Sequence, residues 1–487
     1  MQIQVRDIQV HVLNMAARMP FRYGIATLTA VPHLFMRLDL EVDGRVETGV
    51  SAEGFPPKWF TKDPGASFAQ EFEDMEQVLR SAMDLAQRVG PAGSLFEWWH
   101  RVYEAQRAWA QTQTTAYPSL LWAFGVTMVE RAAISAFCHA TGTTFAEAIR
   151  GNTLGIDLGC IRPALARAQP ADLLPAQPRR RVIVRHTIGL TDPLTDSDIP
   201  DAERVDDGLP QSLEACIGAY GLTHFKIKLY GDADRDRQRL TEAAELIARC
   251  ATRFFFTLDF NENFRDVDDL RGLWQTLRSQ KSLGPFWDGL LFVEQPLHRS
   301  VALTEDQTAA FESWKDRPPI IIDESDGDLQ SLPEALRLGY AGTSHKNCKG
   351  VFKGILNACH VEMLRRQDEH RRFVLSGEDL CNVGPVALLQ DLTVAANLGL
   401  EHVERNGHHY MAGTSMLPAD VQAKILECHS DLYQRHAGGF AALDIRRGMI
   451  DIGTLIDAPF GVGFPLDTSR FIPLDAWQFD SLEGLAK

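Results

Sequence analysis

Five short, mostly apolar runs between His224 and Lys346 each end in charged or polar residues, and this repetition limits the fold more than any other feature. They are His224-Phe225-Lys226-Ile227-Lys228, then Phe254 to Leu258 closing on Asp259-Phe260-Asn261, then Leu290 to Val293 closing on Glu294-Gln295-Pro296. Ile320 to Ile322 closing on Asp323-Glu324, and Thr343-Ser344-His345-Lys346, complete the set. From Lys228 onward the terminal charges step by 31, 35, 29 and 23 positions, room in each case for one strand and one returning helix. A strand covered on both faces reads as a continuous apolar run, as parallel strands do. Strands and helices alternating at this spacing predict an α/β fold of the (β/α)8 barrel type.

In such a barrel the C-terminal strand ends form the mouth, so terminal charges point into it and not into the core. Alternation puts Lys226 and Lys228 on one face of their strand, and Asp259 and Asn261 on one face of the next. Three carboxylates on adjacent strands repel one another, and a buried carboxylate needs a partner or a cation. Asp259, Glu294 and Asp323 are hard oxygen donors with no Cys or His among them, which favours Mg²⁺, with Mn²⁺ as the alternative ion. A lysine beside such an ion, but not bound to it, suits removal of a proton next to a carboxylate. Lys226 is expected to lower the pKa of Lys228 by like-charge repulsion, making Lys228 the base, with Lys346 across the barrel.

Upstream, residues 2–13 alternate as a strand, Leu34 to Val42 form a second, and Asp43-Gly44 turns into a third from Arg45 to Ser51. Arg18 to Gly24 and Ala52 to Trp59 read as loops. Helical periodicity runs from about 66 to 149. Residues 1–180 are thus an α+β cap with its linker, and 181–435 the barrel. Val182 to Leu190 is the first barrel strand, Arg372 to Ser376 the seventh and Leu400 to Glu404 the eighth. The acidic stretch 191–211 is either a lid or a solvated excursion. Ala442 to Ile445 and Met449 to Ile452 read as a hairpin. His408 and His409 are expected to be exposed in a loop, and His224 and His345 to be structural hydrogen-bonders.

The ordered set Lys-x-Lys, Asp-x-Asn, Glu-Gln-Pro, Asp-Glu-Ser, then a lysine before a glycine, resembles the enolase superfamily and, more narrowly, its muconate-lactonizing-enzyme subgroup (the mandelate racemase/muconate lactonizing enzyme family). The resemblance implies a Mg²⁺-dependent isomerase or lyase working through an enediolate, with products of racemisation, epimerisation, dehydration or cycloisomerisation. It implies Lys228 as base, Lys226 as its electrostatic partner and Lys346 as the second lysine. The run Asn347-Cys348-Lys349-Gly350 departs from the usual Gly-Gly, which leaves Lys349 as the alternative. Cap loops carrying Arg22, Tyr23 and Phe55 are then expected over the mouth, Asn261 and Glu378 beside the substrate, and Glu324 behind the ligands. Residues 436–487 are expected to return to the cap. Strand seven has no His, unlike the mandelate-racemase subgroup, and strand eight lacks the Asp-x-Asp of dipeptide epimerases. Further copies of this chain, as a homo-oligomer, are the expected macromolecular partner.

A net charge of −16 argues against nucleic acid. The apolar runs read as too short to span a membrane. Eight cysteines without a Cys-x-x-Cys pair read as free thiols in a reducing cytoplasm, and no basic-then-apolar segment opens the chain as a signal peptide would. The partner expected is a small-molecule carboxylate. Two other classes stay open: a barrel aldolase forming a Schiff base on lysine, and a binding protein that retains the barrel without turnover.

Overall fold

The computed structural model describes residues 1–485. Three antiparallel strands open the chain: β1 (Ile3–Tyr23), β2 (Ala26–Val42) and β3 (Arg45–Gly54), with the turn at Asp43-Gly44. The expected loop from Arg18 to Gly24 is instead the end of β1. A register shift between Ala16 and Phe21 lets the ribbon bend, and Phe21 to Tyr23 then pair with Ala26 to Leu28. Phe21 and Tyr23 favour extended backbone, and their pairing with β2 fixes it.

Three helices cover the sheet: α1 (Phe68–Arg88), α2 (Leu95–Thr112) and α3 (Ser119–Thr141). Of these, α3 corrects the expectation about membranes. It is long and apolar enough to cross one, with mean hydropathy 1.4, yet it is wholly buried inside the protein. A helix apolar on every side is the core of its domain. Neighbours press close against it. A Cβ on Gly49 of β3 would lie 2.0 Å from the Ala132 carbonyl, and one on Gly125 would lie 2.5 Å from the Val78 carbonyl of α1.

Two charges interrupt α3, and both have partners. Arg131 meets Glu53 of β3 at 3.2 Å. Glu130 accepts from the backbone N–H groups of Val351 and Phe352 at 3.2 and 2.6 Å, capping a barrel helix. Burial pushes the Glu130 carboxyl up to about 7. Since the unfolded chain has the ordinary value of 4.5, the folded state keeps its proton longer. Stability is therefore full below pH 4.5 and is lost as pH rises through 7. Glu130→Gln keeps an acceptor without the charge. Its stability relative to the parent is expected to rise across that window by up to about 3 kcal/mol. Urea midpoints at several pH values check this; a difference that stays flat with pH refutes it.

The barrel has eight parallel strands: β4 (Arg181–Ile188), β5 (His224–Lys228), β6 (Phe255–Asp259), β7 (Leu290–Glu294), β8 (Ile320–Ile322), β9 (Gly342–His345), β10 (Val374–Gly377) and β11 (His402–Glu404). Each pairs with the next, and β11 pairs with β4 to close the ring. The C-terminal hairpin does not form. Ala441–Leu443 pairs with Tyr433–Arg435, while Met449–Asp451 adds antiparallel to β4. The edge available on each partner wins over the short turn between the two segments. Further on, Ile472–Pro473 pairs with β1 of the cap.

The acidic stretch 191–211 is folded against the cap. Arg18 reaches it through Asp207, at 2.5 and 2.8 Å, and through the carbonyls of Leu209 and Pro210. All eight cysteines are free.

Candidate active site

Parallel register sets the site. Lys228 pairs with Asp259, and Asp259 with Glu294, on successive strands. Three charged strand ends thus lie side by side at the C-terminal rim. Gln295, at a left-handed φ of 34°, ties this rim to the next strand. Its Oε1 accepts from the N–H of Asp323 (2.7 Å) and Ser325 (3.1 Å), and its Nε2 donates to Ser325 Oγ (2.8 Å). The glutamine of the Glu-Gln-Pro run therefore holds Glu294 and Asp323 in fixed relation.

Three lysines enter the acid cluster. Lys226 Nζ lies 2.7 Å from Glu294, 2.8 Å from Glu404, 3.0 Å from Asp259 and 3.3 Å from Glu378. Lys346 Nζ is 2.6 Å from Asp323 and 2.7 Å from Glu378. Lys349 is 2.7 Å from Asp323, and Arg185 is 3.0 Å from Glu378. Burial opposes the charge on Lys226, but Asp259 and Glu294 lead four carboxylates that outweigh it and hold its amine well above the ordinary lysine value. Burial opposes Lys346 likewise, and Asp323 and Glu378 raise it. Burial also works against ionised Asp323 and Glu378, yet the lysines hold both below the usual carboxylate range. Glu294 moves the other way, pushed well up by burial and by Glu378.

A divalent cation fits this donor set. Oxygens of Glu294, Asp323 and Glu378 all lie within 4.8 Å of one another. An ion with ligands at about 2.1 Å holds opposite oxygens about 4.2 Å apart, so a small inward movement suffices. Glu294 Oε2 is buried without a hydrogen-bond partner. Five carboxylates face four cationic groups, an excess of one negative charge. A divalent ion together with a carboxylate ligand would bring the cluster to neutrality. Of the expected trio, Glu294 and Asp323 belong to this group. Asp259 is turned onto Lys226 and Asn261, whose backbone N–H and side-chain amide donate to it at 2.8 and 3.0 Å, and Glu378 is the third member of the tightest group.

Above the cluster a cavity of about 70 Å³ opens to solvent, lined by Lys226, Lys228, Lys346, Asp259, Asp323 and Tyr23 among others. β5 and β9 are four strands apart in a ring of eight, so Lys228 and the Lys346 that follows β9 stand on opposite sides. Among the described residues Lys228 has no ion-pair partner; its amine faces the Tyr23 ring, 5.9 Å from the centroid. Lys346 lies 5.2 Å from the Trp59 ring centroid. Arg299 fastens the cap loop there. Glu262 grips its guanidinium at 2.8 and 2.9 Å, and it donates to the carbonyls of Phe60 and Trp59. Asn261 and Glu324 also line the cavity. Burial pushes the Glu324 carboxyl up to about 8, with Asp323 and Glu262 adding to it.

Two expected mouth residues lie elsewhere. Phe55 is fully buried in the cap between Phe72 and Phe124, because its apolar ring gains more from the cap core than from a wet mouth. Arg22 does not line the cavity and pairs with Glu203 at 2.8 Å, both side chains about a third exposed. An exposed pair of this kind contributes about 1 kcal/mol or less. Arg22→Ala is accordingly expected to leave kcat/KM and melting temperature nearly unchanged, and a several-fold rise in KM would return the residue to the mouth. His408 and His409 are buried, not exposed. Glu404, Trp59, Lys62 and Arg299 were not anticipated. Glu404 ends the eighth apolar run and obeys the same strand-end rule, Trp59 ends a cap loop expected over the mouth, and Lys62 and Arg299 had no local signal.

No protein-family model matches the chain, and no curated protein matches it in sequence. Solved structures do. N-succinyl Arg/Lys racemase from Bacillus cereus is 16% identical with a TM-score of 0.54, covering 94% of this chain and 98% of its own. Muconate lactonizing enzyme from Pseudomonas fluorescens, complexed with muconolactone, is 14% identical with a TM-score of 0.57 over 96% and 98%. Dipeptide epimerase from Enterococcus faecalis, complexed with Mg and the dipeptide L-Leu-L-Tyr, is 12% identical with a TM-score of 0.56 over 92% and 99%. At these identities the likeness is one of fold: the chain has the same capped-barrel architecture as these three enzymes.

Proposed function

We propose that the chain is a divalent-metal-dependent enzyme that removes the proton α to a substrate carboxylate, with Lys228 as base and Lys346 as the proton donor on the opposite side. The observation that carries this reading is the contrast among the lysines. Lys226, Lys346 and Lys349 are each engaged by carboxylates, whereas Lys228 reaches the same cavity without an acidic partner. Asp323 and Glu378 hold the Lys346 amine charged, which suits delivery of a proton, and Lys228, with no carboxylate tying it down, is placed to reach the reacting carbon. Glu294, Asp323 and Glu378, with Asp259 close by, would hold Mg²⁺ or Mn²⁺. When bound, that ion supplies positive charge against the negative charge developing on the substrate carboxylate.

The remaining work falls to the chain's own groups. Gln295 keeps two of the acid-bearing strands in register, and Arg299 holds Trp59 and its loop over the mouth, limiting water. Asn261 and Tyr23 line the wall beside the reacting carbon. Two facing proton-transfer groups favour racemisation or epimerisation, and the neighbours that act on N-succinyl amino acids and dipeptides support those classes for a first screen. The test is α-proton exchange in D₂O over N-acyl amino acids, dipeptides and acid sugars. Chelation is expected to stop exchange and Mg²⁺ to restore it; exchange indifferent to chelator refutes the metal dependence. An unpartnered buried lysine also suits imine formation. Borohydride inactivation in the presence of a keto acid would favour that second reading.

A further inference from the structure

Outside the mouth, on the far side of the barrel wall, the fold gathers an imidazole and thiol cluster. Arg185 and Thr187 of β4 point into the barrel, to Glu378 and Glu404, so His186 between them points out towards the helical layer. There it meets Cys216 of the helix Leu213–Tyr220, and His408 and His409 of the turn that follows β11. None of the four lines the active-site cavity. All four are buried.

One ligand atom each from His186, Cys216 and His409 lie within 4.8 Å of one another. The Cys216 Sγ to His409 Nδ1 distance is 3.5 Å. A tetrahedral Zn²⁺ with Zn–S near 2.3 Å and Zn–N near 2.0 Å sets sulfur and nitrogen about 3.5 Å apart. His408 Nε2 shares a hydrogen bond with His186 Nδ1 at 3.2 Å and so orients that ring. A thiol and two imidazoles prefer a soft or borderline ion to Mg²⁺.

We propose that His186, Cys216 and His409 bind one ion of the Zn²⁺ class, with the fourth position open to water. Binding would release the Cys216 thiol proton to solvent. The position of the cluster in the fold gives the ion a structural role. It would join the first barrel strand and first barrel helix to the segment after the last strand, across the seam where β11 closes on β4. It would also anchor the start of the β1–insertion contact, since Arg18 donates to the His409 carbonyl at 3.0 Å.

The test uses Co²⁺ as a spectroscopic substitute on the full-length protein after chelator treatment. One equivalent per chain is expected to give a thiolate-to-cobalt charge-transfer band and tetrahedral visible bands. Cys216→Ser should abolish the charge-transfer band, and His409→Asn should weaken Co²⁺ binding at least tenfold. Zn²⁺ should raise the melting temperature of the stripped parent and not of His409→Asn. Mg²⁺-dependent α-proton exchange should survive Cys216→Ser. The absence of a charge-transfer band in the parent overturns the proposal whether or not the variants fold. So does a band that persists in Cys216→Ser, which would move the thiolate elsewhere, for instance to Cys381 at the mouth. Co²⁺ held by the acid cluster alone gives no thiolate band, so that outcome also counts against the site.

Discussion

Lys228→Ala is expected to lower α-proton exchange by about 10²–10⁴-fold, the usual contribution of a positioned acid or base, while the metal still binds. The expectation rests on where the amine is and what surrounds it. Lys228 ends β5 at the level of Asp259 and Glu294, is buried at the cavity wall, and meets the ring of Tyr23 in place of a carboxylate. Removing it breaks no ion pair, so the fold and the acid cluster should persist. Lys226→Ala is the informative contrast. That amine touches four carboxylates, and its loss leaves them mutually repelling, so metal affinity and stability should both change. Deuterium incorporation, Mg²⁺ titration and melting temperature on the two variants separate the roles. Exchange that survives Lys228→Ala at the parental rate removes Lys228 as the base.

The largest loss of stability is expected from Arg131→Met. Arg131 and Glu53 are both fully buried, 3.2 Å apart, and the guanidinium also donates to the carbonyls of Ala52 and Thr127 at 2.9 and 3.1 Å. Breaking a buried pair from one side typically costs about 3–5 kcal/mol, because the remaining charge has neither water nor partner. Burial already raises the Glu53 carboxyl against the opposing pull of Arg131. Without the arginine it should take up a proton more readily, which makes the loss smaller at low pH and larger at high pH. Arg131→Met combined with Glu53→Gln should recover much of the loss. Urea denaturation of the two single variants and the double variant measures this. A single-variant loss below about 1 kcal/mol would show that the pair is solvated in solution.

Local sequence determined a good deal about this protein. The barrel was legible because strands covered on both faces must be apolar along their length, so a charge can stand only at an end. That one rule located Lys228, Asp259, Glu294 and Asp323 on successive strands. The turn at Asp43-Gly44 and the helical stripes of the cap follow from equally local stereochemistry. The tertiary structure decided what depends on distant partners. Glu378, from the seventh barrel strand, joins Glu294 and Asp323 in the tightest carboxylate group, while Asp259 accepts from Asn261. Arg22 and Phe55 turn away from the mouth towards Glu203 and the cap core. His408 and His409, polar residues after a strand, are buried because the barrel seam closes over them. Ala441–Leu443 and Met449–Asp451 pair with strands far along the chain and not with each other. A strand end or a tight turn is set by neighbours a few bonds away and leaves a pattern in the residues. The aim of a side chain is set by which charges and which open strand edges the completed fold brings near it.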